Sequence, residues 1–112
     1  MVAINVLGTD YFVHVGDFPN MENMDGEINY AEKLIYISGK VVNEYFLHTA
    51  LKHEIIHAFL FESGLSVNSN NVLSWATNEE MIDFFALQYD KINKTIKSCE
   101  YQVENEWREL NA

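Results

Sequence analysis

Residues 41–65 form an apolar stretch too long for a strand, and Asn43, Glu44, His48, Lys52, His53, Glu54 and His57 interrupt it too often for a membrane span. With apolar residues on most of its circumference, such a segment is accommodated as a helix at the centre of a domain. Within it stands His53-Glu54-Ile55-Ile56-His57. Two histidines four apart on a helix are rotated by about 400°, which leaves them roughly 40° apart and one turn removed. Both imidazoles can therefore reach one metal ion. Glu54 sits where a carboxylate can take a proton from metal-activated water. Phe46, Ala50, His53, His57 and Leu60 recur every three or four residues, so the histidines are expected to continue a buried stripe, with Ile55, Ile56 and Phe59 pointing elsewhere. Asn43 reads as the N-cap and Gly64 as the C′ residue, bounding the helix at about residues 43–63. His48 is rotated off the His53/His57 face and is expected to meet solvent.

The segments before this helix read as strands. Residues 2–7 and 11–15 are β-rich runs around Gly8-Thr9-Asp10, a hairpin signature, and residues 27–30 and 34–38 form a second pair around Ala31-Glu32-Lys33. His14 lies in the second run as a surface or packing residue. The strand at 34–38, delivered directly before the helix, reads either as an ordinary sheet strand or as one whose edge accepts an extended peptide. Residues 17–26 read as loop, with Met21 and Met24 covering the core. A polar loop follows the helix at 66–74, and Trp75 is expected to pack over the core.

Thr77 is expected to cap a second helix, with Glu80 in the reciprocal capping-box position. Met81, Phe84, Phe85, Leu87, Gln88, Ile92 and Ile96 give that helix an apolar face to about Ser98. Residues 100–110 either continue it or form a separate helix through Tyr101, Val103, Trp107 and Leu110. No repeat or linker breaks the pattern. The expected architecture is a single α+β domain over residues 1–112, in which a small antiparallel sheet of N-terminal strands packs on the central helix and on the second, Glu-bearing helix.

Charge narrows the partners. With 17 acidic against 7 basic residues, the net charge is -10, which argues against direct nucleic-acid binding and against anionic membranes. Such a surface steers basic partners toward itself. Cys99 is the single cysteine, so no internal disulfide is expected, and with no sorting signal evident the expected compartment is the cytoplasm.

A metal site needs a further protein ligand and, for catalysis, an open position. His14, His48, Glu62, Glu79, Glu80 and Asp83 are the candidates. Glu62 is roughly 140° around the first helix from His57, so the second helix is the expected source. There Glu79 and Asp83 share a face, while Glu80 has a capping role. His53-Glu54-x-x-His57 followed by Asn78-Glu79-x-x-x-Asp83 resembles the gluzincin pattern. With strands before the helix and Phe85-Ala86 after the glutamate, the chain resembles the compact ImmA/IrrE-like metallopeptidases of phages and mobile elements. It departs from them in its strand-like N-terminus and in Asp83 where asparagine is common.

That resemblance implies a zincin-like fold and a cytoplasmic zinc peptidase acting on a protein or peptide substrate, with regulatory proteins such as transcriptional repressors as typical targets. It implies His53, His57 and Glu79 as Zn2+ ligands, Glu54 as general base, and Asp83 as acceptor of a ligand histidine's ring N–H. The competing readings are a catalytically silent zincin-like module that captures a protein partner, a structural zinc domain, and a pair of core histidines with Glu54 as their ion-pair partner.

Overall fold

The computed structural model describes residues 1–65 and 78–112. The expectations for the loop at 66–74, for Trp75 and for Thr77 lie outside the described residues. β1 (Val2–Val6), β2 (Thr9–Gly16), β3 (Gly26–Asn29) and β4 (Leu34–Ser38) form a four-stranded sheet in the order β1-β2-β4-β3, followed by α1 (Glu44–Glu62) and α2 (Glu79–Leu110). The α+β class expected from the sequence is the class observed.

Both strand pairs are present as local hairpins, with Val2 opposite Val13 in one and Glu27 opposite Tyr36 in the other. The sheet is mixed rather than antiparallel, because β2 and β4 join the hairpins in parallel, Val13 opposite Ile35. The same pairing decides between the two readings of the strand at 34–38 in favour of an ordinary sheet strand. β4 is paired on both sides, so its edge is closed to an added strand, and the sheet's outer strands are β1 and β3.

The first turn is tighter than Gly8-Thr9-Asp10. Leu7 (φ 50°) and Gly8 (φ 92°) are both left-handed, and Gly8 N–H donates to Asn5 Oδ1 at 3.0 Å. Two consecutive left-handed residues match the type I′ twist, which favours Asn-Gly and penalises a branched side chain at the first position. Leu7→Asn is expected to stabilise the domain by about 0.5–1 kcal/mol in denaturant unfolding.

Alternation decides the sheet's inner face. Val2, Ile4, Val6, Tyr11, Val13, Val15, Ile35 and Ile37 are buried, while Ala3, Asn5, Asp10, Phe12 and His14 between them are exposed. Both helices complete one core with these strands: α1 contributes Leu47, Leu51, Ile55, Ala58 and Phe59, and α2 contributes Phe84, Ile92, Ile96, Cys99 and Val103. Met21, in a single 3-10 turn at Pro19–Met21, is buried as expected, whereas Met24 is exposed.

The ends of α1 follow the sequence reading. The Asn43 side chain accepts from Phe46 N–H at 3.0 Å, and Gly64 takes φ 83° just past the C-cap Ser63. α2 continues unbroken over 32 residues, which settles the status of residues 100–110. Its observed cap is Asn78, whose Oδ1 accepts from Met81 N–H at 2.9 Å. Met81 therefore occupies the third helical position, and Glu80 cannot complete a capping box. Val103 is buried, but Leu87, Tyr101 and Leu110 are exposed.

Candidate metal centre

The core-facing side of α1 is Leu47, Ala50, Leu51, Glu54, Ile55, Ala58 and Phe59. This corrects the phase expected for the helix: Ile55 and Phe59 are in the core, whereas His53 is exposed and His57 is half-buried. α1 is apolar nearly all round, so more than one stripe satisfies the helical period. The sheet selects the aliphatic stripe, and the imidazoles stay at its flank where their nitrogens remain accessible.

The structure brings His53, Glu54 and His57 together. One ligating atom from each lies within 4.8 Å of the others, so the group can hold a metal ion. The two Nε2 atoms are 3.1 Å apart, with the rings at 67° and their centroids 4.7 Å apart. Two nitrogens each about 2.0–2.1 Å from a tetrahedral ion stand about 3.3 Å apart. The observed separation is therefore close to what one ion requires.

Glu54 is the buried member, at 5% exposure. Burial pushes its carboxyl above the usual carboxylate range; the His53 charge opposes that shift and Glu27 adds to it. Burial also lowers the His57 imidazole, with His53 adding to the effect, and so favours the neutral, metal-ligating form.

Neighbours that sequence reasoning missed shape this environment. A Cβ on Gly26 would stand 3.0 Å from Glu54 Cγ and 3.3 Å from Oε2, so the bare backbone of β3 lets the carboxylate lie against the strand. Tyr30 stacks on Phe61 at 4.4 Å and 16°, and its phenol is raised by burial first and by Glu54 second. A glycine opening a short strand was the available signal for the close approach.

Glu79 and Asp83 stand outside the histidine group, exposed in the first two turns of α2. His14 is exposed on the sheet's far face. His48 corrects the expectation of a solvent-facing residue: it turns toward α2, 3.7 Å from Glu100 and 3.9 Å from Glu104. Glu62 is engaged elsewhere, accepting from Thr9, Tyr11 and Lys33.

No family model, curated protein or solved structure matches the chain. The class defined by fold and site is an α+β protein whose first helix carries a His-Glu-x-x-His group able to hold a metal ion. Among the described residues no helix is long and apolar enough to cross a membrane.

Proposed function

We propose that this protein is a zinc-dependent endopeptidase of the compact ImmA/IrrE-like type, acting in the cytoplasm on another protein, with a transcriptional repressor as the kind of substrate. The observation that carries the reading is the pairing of two accessible imidazole nitrogens 3.1 Å apart with a buried carboxylate between them in sequence. A structural ion pair has no need of that combination. Burying a carboxylate without a cation beside it is costly.

In this reading His53 and His57 hold the metal, and Glu79 supplies the third ligand from the start of α2. Asp83 accepts a ring N–H and so keeps the opposite nitrogen free to ligate. Zinc, when bound, supplies Lewis-acid chemistry to water and to the scissile carbonyl. Glu54 would take the proton from the attacking water and return it to the leaving amine. β3, an outer strand in contact with Glu54 through Gly26, is the backbone against which an extended peptide would lie.

The test is metal dependence measured by binding and by cleavage together. Zinc titration of the purified chain should show one tight site. His57→Ala should weaken it roughly a hundredfold, the share of one ligand in a typical structural-zinc binding energy, and Glu79→Ala should weaken it comparably. Cleavage of an unstructured polypeptide should stop on chelation and return with zinc. Undiminished binding in the Glu79 variant would remove Glu79 from the ligand set. Unfolding on chelation would instead identify a structural zinc domain, and partner capture without metal a binding module.

A further inference from the structure

The face of the sheet turned away from both helices carries a second group of side chains that the metal centre does not use. β2 runs parallel to β4 with His14 opposite Tyr36, and β3 runs antiparallel to β4 with Glu27 opposite Tyr36. His14, Tyr36 and Glu27 therefore form a row across three strands. Beyond β2 the chain folds Phe18 over this row. Its ring centroid lies 5.3 Å from His14 and 5.0 Å from Tyr36, with interplanar angles of 75° and 71°. A Cβ on Gly16 would come within 2.9 Å of the Phe18 ring, so glycine there is what lets the ring settle. Phe18, Tyr36, Glu27 and Asn29, with the Pro19–Met21 turn, line a cleft of about 320 Å³.

Wall chemistry decides what such a cleft selects. Two aromatic rings set near a right angle make a corner whose π-faces attract cations. Glu27 is exposed beside it, and among the described residues no lysine, arginine or histidine lies within ion-pair distance of its carboxylate. No basic side chain lines the cleft, while Asn20 adds an amide; the Asn29 carbonyl is already engaged, accepting from Glu32 N–H at 3.0 Å. An anion would meet only repulsion from Glu27, and a purely apolar side chain would leave that carboxylate unused.

We propose that this cleft binds the arginine or lysine side chain of a polypeptide partner, with the alkyl stem laid against the corner formed by the Phe18 and Tyr36 rings and the cationic head on Glu27. The chain's net charge of -10 favours the approach of such a partner. Only the edge strand β3 separates the cleft from the metal centre: Glu27 faces the cleft, and Gly26 before it faces Glu54 on the opposite side. The cleft and the His53-Glu54-His57 group lie on opposite faces of the sheet, so a polypeptide anchored by a basic residue in the cleft reaches that group by crossing the edge strand β3. In naming a basic residue near the cleaved bond the inference rests on the peptidase reading, but the binding itself does not.

The experiment uses the full chain carrying Glu54→Gln, so that no turnover intervenes. It is titrated with an acetylated and amidated Ala-Ala-Arg-Ala-Ala peptide and with its citrulline counterpart, followed by amide NMR shifts. The arginine peptide should perturb Phe18, Glu27 and Tyr36 and bind roughly tenfold tighter than the citrulline peptide, the size of a cation–π contact plus one exposed ion pair. Glu27→Gln should reduce that preference to about twofold or less, and Tyr36→Leu should weaken the arginine peptide several-fold. Equal affinity for the two peptides, no binding of either, or shifts confined to residues away from the cleft would overturn the proposal. Arginine-selective binding by a protein whose wild type cleaves nothing would uphold the cleft and remove the peptidase reading. Cleavage by the wild type without any preference for basic residues, together with equal peptide binding, would do the reverse.

Discussion

Glu54→Gln is expected to abolish peptide cleavage while leaving metal binding nearly intact. Gln keeps the shape of the side chain that lies against Gly26, so the helix and the two histidine ligands should not move. It cannot accept the proton, and loss of a positioned general base typically costs roughly 10²–10⁴ in rate. Zinc affinity should stay within about threefold of wild type, because Glu54 acts on the proton and the ligands are elsewhere. Cleavage that survives at wild-type rate would remove Glu54 from the mechanism, whereas loss of both cleavage and metal would make it a ligand.

The same substitution has a signature in the metal-free protein that does not depend on any substrate. Burial raises the Glu54 carboxyl, with His53 opposing and Glu27 reinforcing the shift. A carboxyl raised in the folded state contributes its stability below the ordinary carboxylate range and loses it as pH rises through the folded value. At neutral pH the metal-free wild type has therefore lost stability that it holds in acid, a loss that Gln, which does not titrate, does not share. Glu54→Gln should unfold at a higher temperature than wild type near pH 7, and the gap should narrow as pH falls toward 4. His57 titrates identically in both proteins to a first approximation, so its own lowered pKa does not reverse the comparison.

Local signals in the chain carried their elements well. Asn43 and Gly64 mark the ends of α1 because a side-chain cap and a left-handed residue are written in single residues. Gly8 marks the first hairpin for the same reason. What a single residue does not write was harder to read. The parallel seam between β2 and β4 depends on how two separate hairpins meet, and nothing inside either hairpin encodes it. The phase of α1 was ambiguous because Ile55, Ile56 and Phe59 compete with the histidine stripe for the sheet. Only packing decides among them.

The candidate site divides along the same line. His53, Glu54 and His57 are legible because their mutual position is fixed by one helix. Gly26, Glu27 and Tyr30 reach Glu54 across tertiary space, from the end of a stretch that reads as loop and from the short strand after it, and neither reading says which helix they will meet. Continuity of α2 was harder to read because Thr95, a polar residue, sits on its buried face. Thr95 is accommodated there because its hydroxyl donates to Asn5 O at 3.0 Å.

A large loss of stability is expected from substituting the polar Glu62, far from the chemistry. Its carboxylate accepts from Thr9 Oγ1 at 2.9 Å, from Tyr11 OH at 2.6 Å and from Lys33 Nζ at 2.9 Å, tying the end of α1 to β2 and to the β3–β4 turn. Tyr11 is fully buried, and Lys33, held in a left-handed turn position at φ 59°, also lies over the Phe61 ring at 4.7 Å. Glu62→Ala leaves a buried phenol and a half-buried ammonium without their acceptor. Removing one partner of a buried pair costs about 3–5 kcal/mol, and the partial exposure of Lys33 and Glu62 places the expected loss near the lower bound, about 3 kcal/mol. Tyr11→Phe should cost less, about 1–2 kcal/mol, because Thr9 and Lys33 still satisfy the carboxylate. The pair should be strongly non-additive in a double-mutant cycle. Burial alone would raise the Glu62 carboxyl, but the hydrogen bonds from Tyr11, Lys33 and Thr9 outweigh it and hold the group below its ordinary 4.5. A lowered carboxyl contributes stability above its unfolded value and loses it as pH falls through the folded one. The wild type should therefore lose stability in acid from about pH 4.5 downward more steeply than Glu62→Gln, measured by urea unfolding at a series of pH values. Parallel acid profiles for the two proteins would show that the Glu62 cluster does not hold α1 to the sheet through its charge.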